Sequence, residues 1–191
     1  MSPEQHRIEE DLRGLIVGDV RCDELFCQLY ASDASIFEMR PLGVVRPRTK
    51  GDVAAVVRYA VENEIPIHAR GAGSSLAGAS LGRGLVVDFS RYLRRIVAIG
   101  EEDVTVQAGV VLERLNDRLA RVGRRFGPDP ATARVSTIGG VVGVDSSGSR
   151  WPAYGSARRH VQELEVVLAD GRIVKLGRHR RAGGGDDPAN R

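Results

Sequence analysis

A chain of 191 residues, 42% apolar and 28% charged, is long enough to bury one ordinary core or two small ones and reads as soluble and globular. A formal charge of +3 with only 5% aromatic residues excludes a nucleic-acid groove built on stacking platforms and leaves anionic small molecules as the partners to look for. Cys22 and Cys27 are too few for a zinc site and read as thiols of a reducing compartment. With no signal-type leader and no apolar run of membrane-spanning length, a cytoplasmic protein is expected.

Residues 4–17 have the pattern of an amphipathic helix, and the stretch after them, through "LFCQLYASDASIFEMRP", ends at a proline; together residues 1–40 form a helical lead-in. "GVVRP", Gly43 to Pro47, is a short strand stopped by its proline. Thr49 and Asp52 predict a capping box for a helix whose core stripe is Val53, Val56, Val57, Ala60 and Val61. "IPIHA" and "LVVDF" follow as strands, so residues 41–95 read as a first subdomain built on a small parallel sheet.

The pattern then changes. "RIVAIG" and "DVTVQAG" lie close enough to pair as antiparallel strands, and a helix from Val110 to Val122 carries Val111, Leu115, Leu119 and Val122 on one side. Residues 124–155 form a long Gly/Ser/Pro-rich segment that reads as structureless, and such segments inside compact domains are usually functional. Asp170-Gly171 then predicts a hairpin between two final strands. These parts, residues 96–177, read as a second subdomain with a larger, mainly antiparallel sheet, and residues 178–191 as a disordered tail. The fold class is therefore α+β.

Of the 23 glycines, Gly71, Gly73, Gly78, Gly82 and Gly84 crowd the loop between the strands "IPIHA" and "LVVDF". A Walker A loop fails there, because Gly73 and Gly78 are followed by Ala79 and Ser80 rather than lysine and a hydroxyl. A Rossmann turn is weak, because Leu76 stands where a small residue belongs and there is little room for a crossover helix. The remaining choices are a flexible connection without a ligand, or a nest of backbone amides that binds a pyrophosphate with help from Ser74 and Ser75. A second loop with Thr137, Gly139, Gly140, Ser146, Ser147 and Gly148 offers small residues and hydroxyls for the rest of a dinucleotide, held between the subdomains.

From Leu29 to Gly177, five blocks in order resemble the FAD-binding domain shared by vanillyl-alcohol oxidase, the glycolate oxidase flavoprotein subunit and D-lactate dehydrogenase. They include "VVRPRTKGDVAAVVRYAVENEIPIHARGAGSSLAG", "GPDPATARVSTIGGVVGVDSSGSRWPAYG" and "VQELEVVLADGRIVKLG". The resemblance implies FAD between two α+β subdomains and oxidation of a 2-hydroxy acid such as D-lactate or glycolate by hydride transfer to the flavin. It implies cofactor contacts from Arg70, Gly71, Ala72, Gly73, Ser74, Ser75 and Gly78, then from Pro128, Thr137, Gly139, Gly140, Ser146, Ser147 and Gly148, with Tyr154 closing the segment. Members that attach the flavin covalently through the first loop have histidine where this chain has Ser74, so noncovalent FAD is expected.

Arg70 can neutralise phosphate or anchor the loop to a carboxylate, while His68 and Trp151 read as packing residues. The Arg94-Arg95, Arg124-Arg125 and Arg158-Arg159 pairs read as solvated faces. Asp145 departs from the family's usual asparagine, and its charge is expected to oppose phosphate. A side chain at Gly73 is expected to block the cofactor while leaving the fold largely intact. No metal site and no catalytic residue are assigned. Family members continue with a substrate-binding cap, so this chain is expected to be a fragment, a truncated product, or one piece of an assembly whose partner chain supplies the cap, with exposed apolar surface and a tendency to self-associate. A noncatalytic nucleotide-binding module is the alternative, and an NADPH-oxidising relative of the cell-wall reductases is disfavoured by the "DSSG" segment.

Overall fold

The computed structural model describes residues 1–177, so the tail expected at 178–191 lies outside the described residues. Helix α1 (Pro3–Leu15) begins in a capping box: Ser2 Oγ accepts the Gln5 amide at 3.1 Å and the Ser2 amide donates to Gln5 Oε1 at 2.8 Å. It buries Ile8 and Leu12. Two elements that the sequence pattern does not announce follow, β1 (Asp19–Arg21) and α2 (Glu24–Leu29), the latter capped by Asp23.

Next come β2 (Gly43–Arg46), α3 (Lys50–Glu62), β3 (Ile67–Arg70) and β4 (Leu85–Asp88), which with β1 form one sheet in the order β1-β2-β4-β3. β2, β4 and β3 run parallel, as expected, and β1 adds an antiparallel edge. All four residues of the central strand β4 are buried, as parallel strands covered on both faces require. At α3, Thr49 Oγ1 accepts the Asp52 amide at 3.0 Å, while the Asp52 carboxylate accepts the Arg48 amide at 2.9 Å. The helix is rolled from its predicted setting: Ala54, Val56, Tyr59 and Ala60 are buried and Val61 is exposed. One core joins α1, β1, α3 and the sheet through Leu12, Val20, Val45, Val56, Tyr59 and Leu85.

Strands β5 (Ile96–Ile99) and β6 (Val104–Val106) pair antiparallel and pack under α4 (Leu112–Ala120) through Ile96, Val110, Leu115 and Leu119. Val122 lies beyond the helix and is exposed. Residues 124–155 are not structureless. They contain α5 (Ile138–Gly143) and the single turn α6 (Trp151–Tyr154), and α5 holds its place by burying Val141 against Leu112 and Ala157.

The last strands, β7 (Glu163–Val167) and β8 (Ile173–Gly177), form a hairpin around Asp170-Gly171, with Gly171 at φ +77°. After residue 95 the strands thus make two separate two-stranded antiparallel hairpins where one larger sheet was expected. The β7–β8 hairpin docks on α3, where Lys50 Nζ meets Glu165 at 2.9 Å and Arg58 donates to the Gly171 carbonyl at 3.3 Å. No helix among the described residues is long and apolar enough to cross a membrane.

Candidate cofactor site

The glycine loop leaves the carboxyl end of β3, the end of a parallel sheet where ligands bind in open α/β folds. Its framework is set by Arg70, whose guanidinium donates to the carbonyls of Ser32 at 2.8 Å and Tyr30 at 3.3 Å and lies over the Tyr30 ring. Tyr30 in turn donates its hydroxyl to buried Asp88 Oδ2 at 2.7 Å, at the matching end of β4. Burial and that hydrogen bond push the phenol well above its ordinary range. Of the two roles open from the sequence, Arg70 takes that of an anchor, through two carbonyls and not a carboxylate.

The Gly73 carbonyl accepts the Ala34 amide at 3.0 Å, which fixes the middle of the loop from outside. Among the described residues, the amides of residues 71–76 then donate to nothing. Gly73 sits at φ +67°, where a left-handed torsion favours glycine. A Cβ there would fall 2.5 Å from an Arg70 guanidinium nitrogen, so a side chain would disturb the loop's own anchor before it met any ligand. The expectation that substitution at Gly73 spares the fold is corrected on that ground. Gly78 packs against the Phe37 ring, and the His68 ring covers Gly82.

The second Gly/Ser segment comes directly onto this loop. Gly71 approaches Thr137 so closely that a Cβ would collide with the threonine hydroxyl, and Ser74 Oγ lies 3.3 Å from Ser136 Oγ. Ser136 Oγ is also 2.7 Å from Thr132 Oγ1, giving a chain of three hydroxyls of which sequence reading named only the first. The sequence signal for Ser136 is the "VST" before the glycines, which puts its hydroxyl next to that of Thr137. Thr137 caps α5, its hydroxyl accepting the Gly140 amide at 3.3 Å.

The other predicted residues play different parts. The Gly139 amide is spent on the Ala108 carbonyl at 2.7 Å, so this glycine permits close packing of α5 on the β6–α4 turn. Ser146, Ser147 and Gly148 gather with buried Pro128 at the far end of α5: the Ser147 carbonyl accepts the Asp129 amide, and Gly148 bridges Asp129. Tyr154 packs its ring on Gly127. Among the described residues no hydrogen bond joins this second cluster to Gly71–Gly78; α5 separates them by about 9 Å at 1.5 Å per residue. Ala72 and Ser75 belong to the loop, Ser75 Oγ accepting the amides of Ala77 and Ala79. Trp151 is 58% exposed and does not pack as expected.

Asp145 adopts φ +52°, a conformation that aspartate and asparagine tolerate better than most residues. Its carboxylate accepts the Arg158 amide at 2.8 Å and pairs with the Arg158 guanidinium at 3.3 Å. The Arg158 amide, together with the Ser156 side chain, holds this carboxyl below the usual carboxylate range. Its charge is thus directed at Arg158.

A row of unpaired amides, the adjacent Ser74 hydroxyl, and a neighbouring loop that only a glycine lets so close fit a dinucleotide pyrophosphate. The class these features define is matched by comparison: residues 41–177 fit the FAD binding domain family, and the chain belongs to it, with FAD the cofactor. Over 149 residues the chain is 36% identical to D-2-hydroxyglutarate dehydrogenase of Escherichia coli K12, a match covering 75% of this chain and 15% of that protein. It is 34% identical over 154 residues to glycolate oxidase subunit GlcD of Bacillus subtilis, covering 78% of this chain and 33% of the relative. The chain therefore spans between about a seventh and a third of the length of these relatives. The fold is shared with alkyldihydroxyacetonephosphate synthase at a TM-score of 0.78 and 22% identity, over 94% of this chain and 38% of that one.

Proposed function

We propose that this chain is the FAD-holding part of a flavin-dependent oxidoreductase that oxidises a small 2-hydroxy acid such as D-lactate or glycolate. The observation that carries the reading is the convergence of the unpaired loop amides of residues 71–76 with Ser136 and Thr137. In this reading the amides of Gly71, Ala72, Gly73 and Ser74 hold the pyrophosphate, with Ser74 and Ser75 hydroxyls beside them and the Arg70 charge behind. Gly78 lets the loop turn away over Phe37. Thr137, Gly139 and Gly140 line the middle of the cofactor, and Pro128, Ser146, Ser147, Gly148 and Tyr154 its far end. The cofactor lies between subdomains 41–95 and 96–177.

FAD accepts the hydride, and the protein binds and orients it while excluding other routes. No side chain is assigned here to take the substrate proton, and a partner chain that supplies a cap would complete the substrate side. Attachment is noncovalent, since Ser74 offers a hydroxyl engaged with Ser136. The two buried free thiols suit a reducing compartment, and we place the protein in the cytoplasm.

The second reading is a noncatalytic FAD-binding module, in which the same loops hold the flavin but no substrate reduces it. Anaerobic bleaching of the protein-bound flavin by D-lactate, glycolate or D-2-hydroxyglutarate separates the two. Bleaching by any of them supports the oxidoreductase; bound flavin that none reduces supports the module; and no flavin at all defeats both.

A further inference from the structure

The fold assembles a cluster of like charge that the cofactor site does not use. Arg94 and Arg95, just before β5, line a cleft of about 370 Å³ together with Ile96 and with Arg114 and Arg118 of α4. The walls are firmly held. The Arg95 amide donates to Gln107 Oε1 at 2.9 Å, and Ile96 packs with Leu115 and Leu119 in one core. Arg114 and Arg118 stand four apart and so share a helix face.

Among the described residues, no ion pair uses any of the four. Glu113, beside Arg114, is taken by Arg134 at 3.3 Å. Like charges four apart on a helix destabilise it, and a second pair placed opposite adds to the repulsion. A solvated face needs no such convergence.

We propose that this cleft is a binding site for an oligophosphate anion, separate from the flavin site. Guanidinium forks match phosphate oxygens two at a time, and the chain's 28 basic residues include just two lysines, Lys50 and Lys175. Four convergent positive charges on exposed side chains match the three to four negative charges of a triphosphate better than the one or two of a simple carboxylic acid. The cleft volume is at the small end of ligand sites, which suits a phosphate chain rather than a whole dinucleotide.

The test uses the FAD-loaded chain, so that the amide loop is already filled, with inorganic tripolyphosphate titrated by calorimetry at constant ionic strength. Saturable one-to-one binding is expected. It should weaken at least tenfold in Arg114→Gln/Arg118→Gln, and persist in Arg7→Gln/Arg83→Gln, which removes equal charge from exposed positions elsewhere. FAD affinity should be unchanged in both variants and neither should unfold at a lower temperature, the Arg114→Gln/Arg118→Gln variant gaining slightly from the relieved repulsion, which separates failure of this site from failure of the cofactor site. ATP titrated in parallel distinguishes a nucleotide from a bare phosphate chain, since tighter binding of ATP means the base is also held. Absence of saturable binding, or equal loss in the two double variants, overturns the proposal.

Discussion

At Gly73 two demands meet in one residue, a left-handed torsion and a guanidinium packed where a Cβ would stand. Gly73→Val therefore costs about 1–2 kcal/mol for the torsion and more for displacing Arg70 from the Tyr30 and Ser32 carbonyls. Flavin titration and thermal unfolding of the apo protein should show both affinity and stability falling. Ser74→Ala removes one hydroxyl and leaves the amides, so FAD affinity should weaken by about 1 kcal/mol with the unfolding temperature nearly constant. Asp145→Asn keeps the acceptor for the Arg158 amide and the tolerance of positive φ, so affinity at neutral pH should be preserved. Because the Asp145 pKa is lowered by folding, its contribution to stability is complete above about pH 4 and is lost as pH falls through the lowered value. The asparagine variant should lack that acid-side loss in a pH series of unfolding midpoints. Sequence alone revealed the loop at Gly71–Gly78 because glycine clustering is conspicuous. It did not reveal Arg70's carbonyl partners, because Tyr30 and Ser32 lie in a stretch with no periodicity.

Among the elements, those with strong periodic signals were readable and those made by tertiary contact were not. β1 is three residues long, with Asp19 and Arg21 on either side of Val20, and exists because β2 offers it an edge. α5, "IGGVVG", has three glycines in six residues, each costing roughly 1 kcal/mol against alanine in a helix interior, so its sequence has the pattern of a loop. The Thr137 cap and the burial of Val141 against Leu112 and Ala157 offset that cost. α3 gives a test that separates stability from binding. Asp52 is buried and accepts the Arg48 amide and the Thr49 hydroxyl, so Asp52→Ala should lower unfolding free energy by about 2 kcal/mol with FAD affinity unchanged. Between α1 and α2, burial and then the nearby Glu9 push the Cys22 thiol up to about 12. The unfolded thiol ionises near pH 8.5, so above that pH the folded state binds the more protons and stability declines as pH rises. Urea midpoints from pH 8 to 10.5 should fall in the wild type and less steeply in Cys22→Ala.

Taken whole, the molecule has well-closed cores and open outer strands. Val97 is 60% exposed on β5 and Leu176 55% on β8, and both hairpins present unpaired edges among the described residues. Such edges pair with one another when nothing covers them. Light scattering across a concentration series should show growing self-association, and a clean monomer at high concentration would count against this. The parallel-then-antiparallel plan was legible from the change of pattern near residue 95, but not the separation of the later strands into two hairpins, since pairing partners carry no local signature. The clasp of the last hairpin on α3 adds a matter of timing. Lys50 and Glu165 are 115 positions apart, so at ~5–20 residues per second the helix leaves the ribosome on the order of 6–23 s before its partner is made. The first sheet has time to form long before that clasp can close, and until it does a nascent chain presents α3's outer surface to whatever chaperone or protease is near.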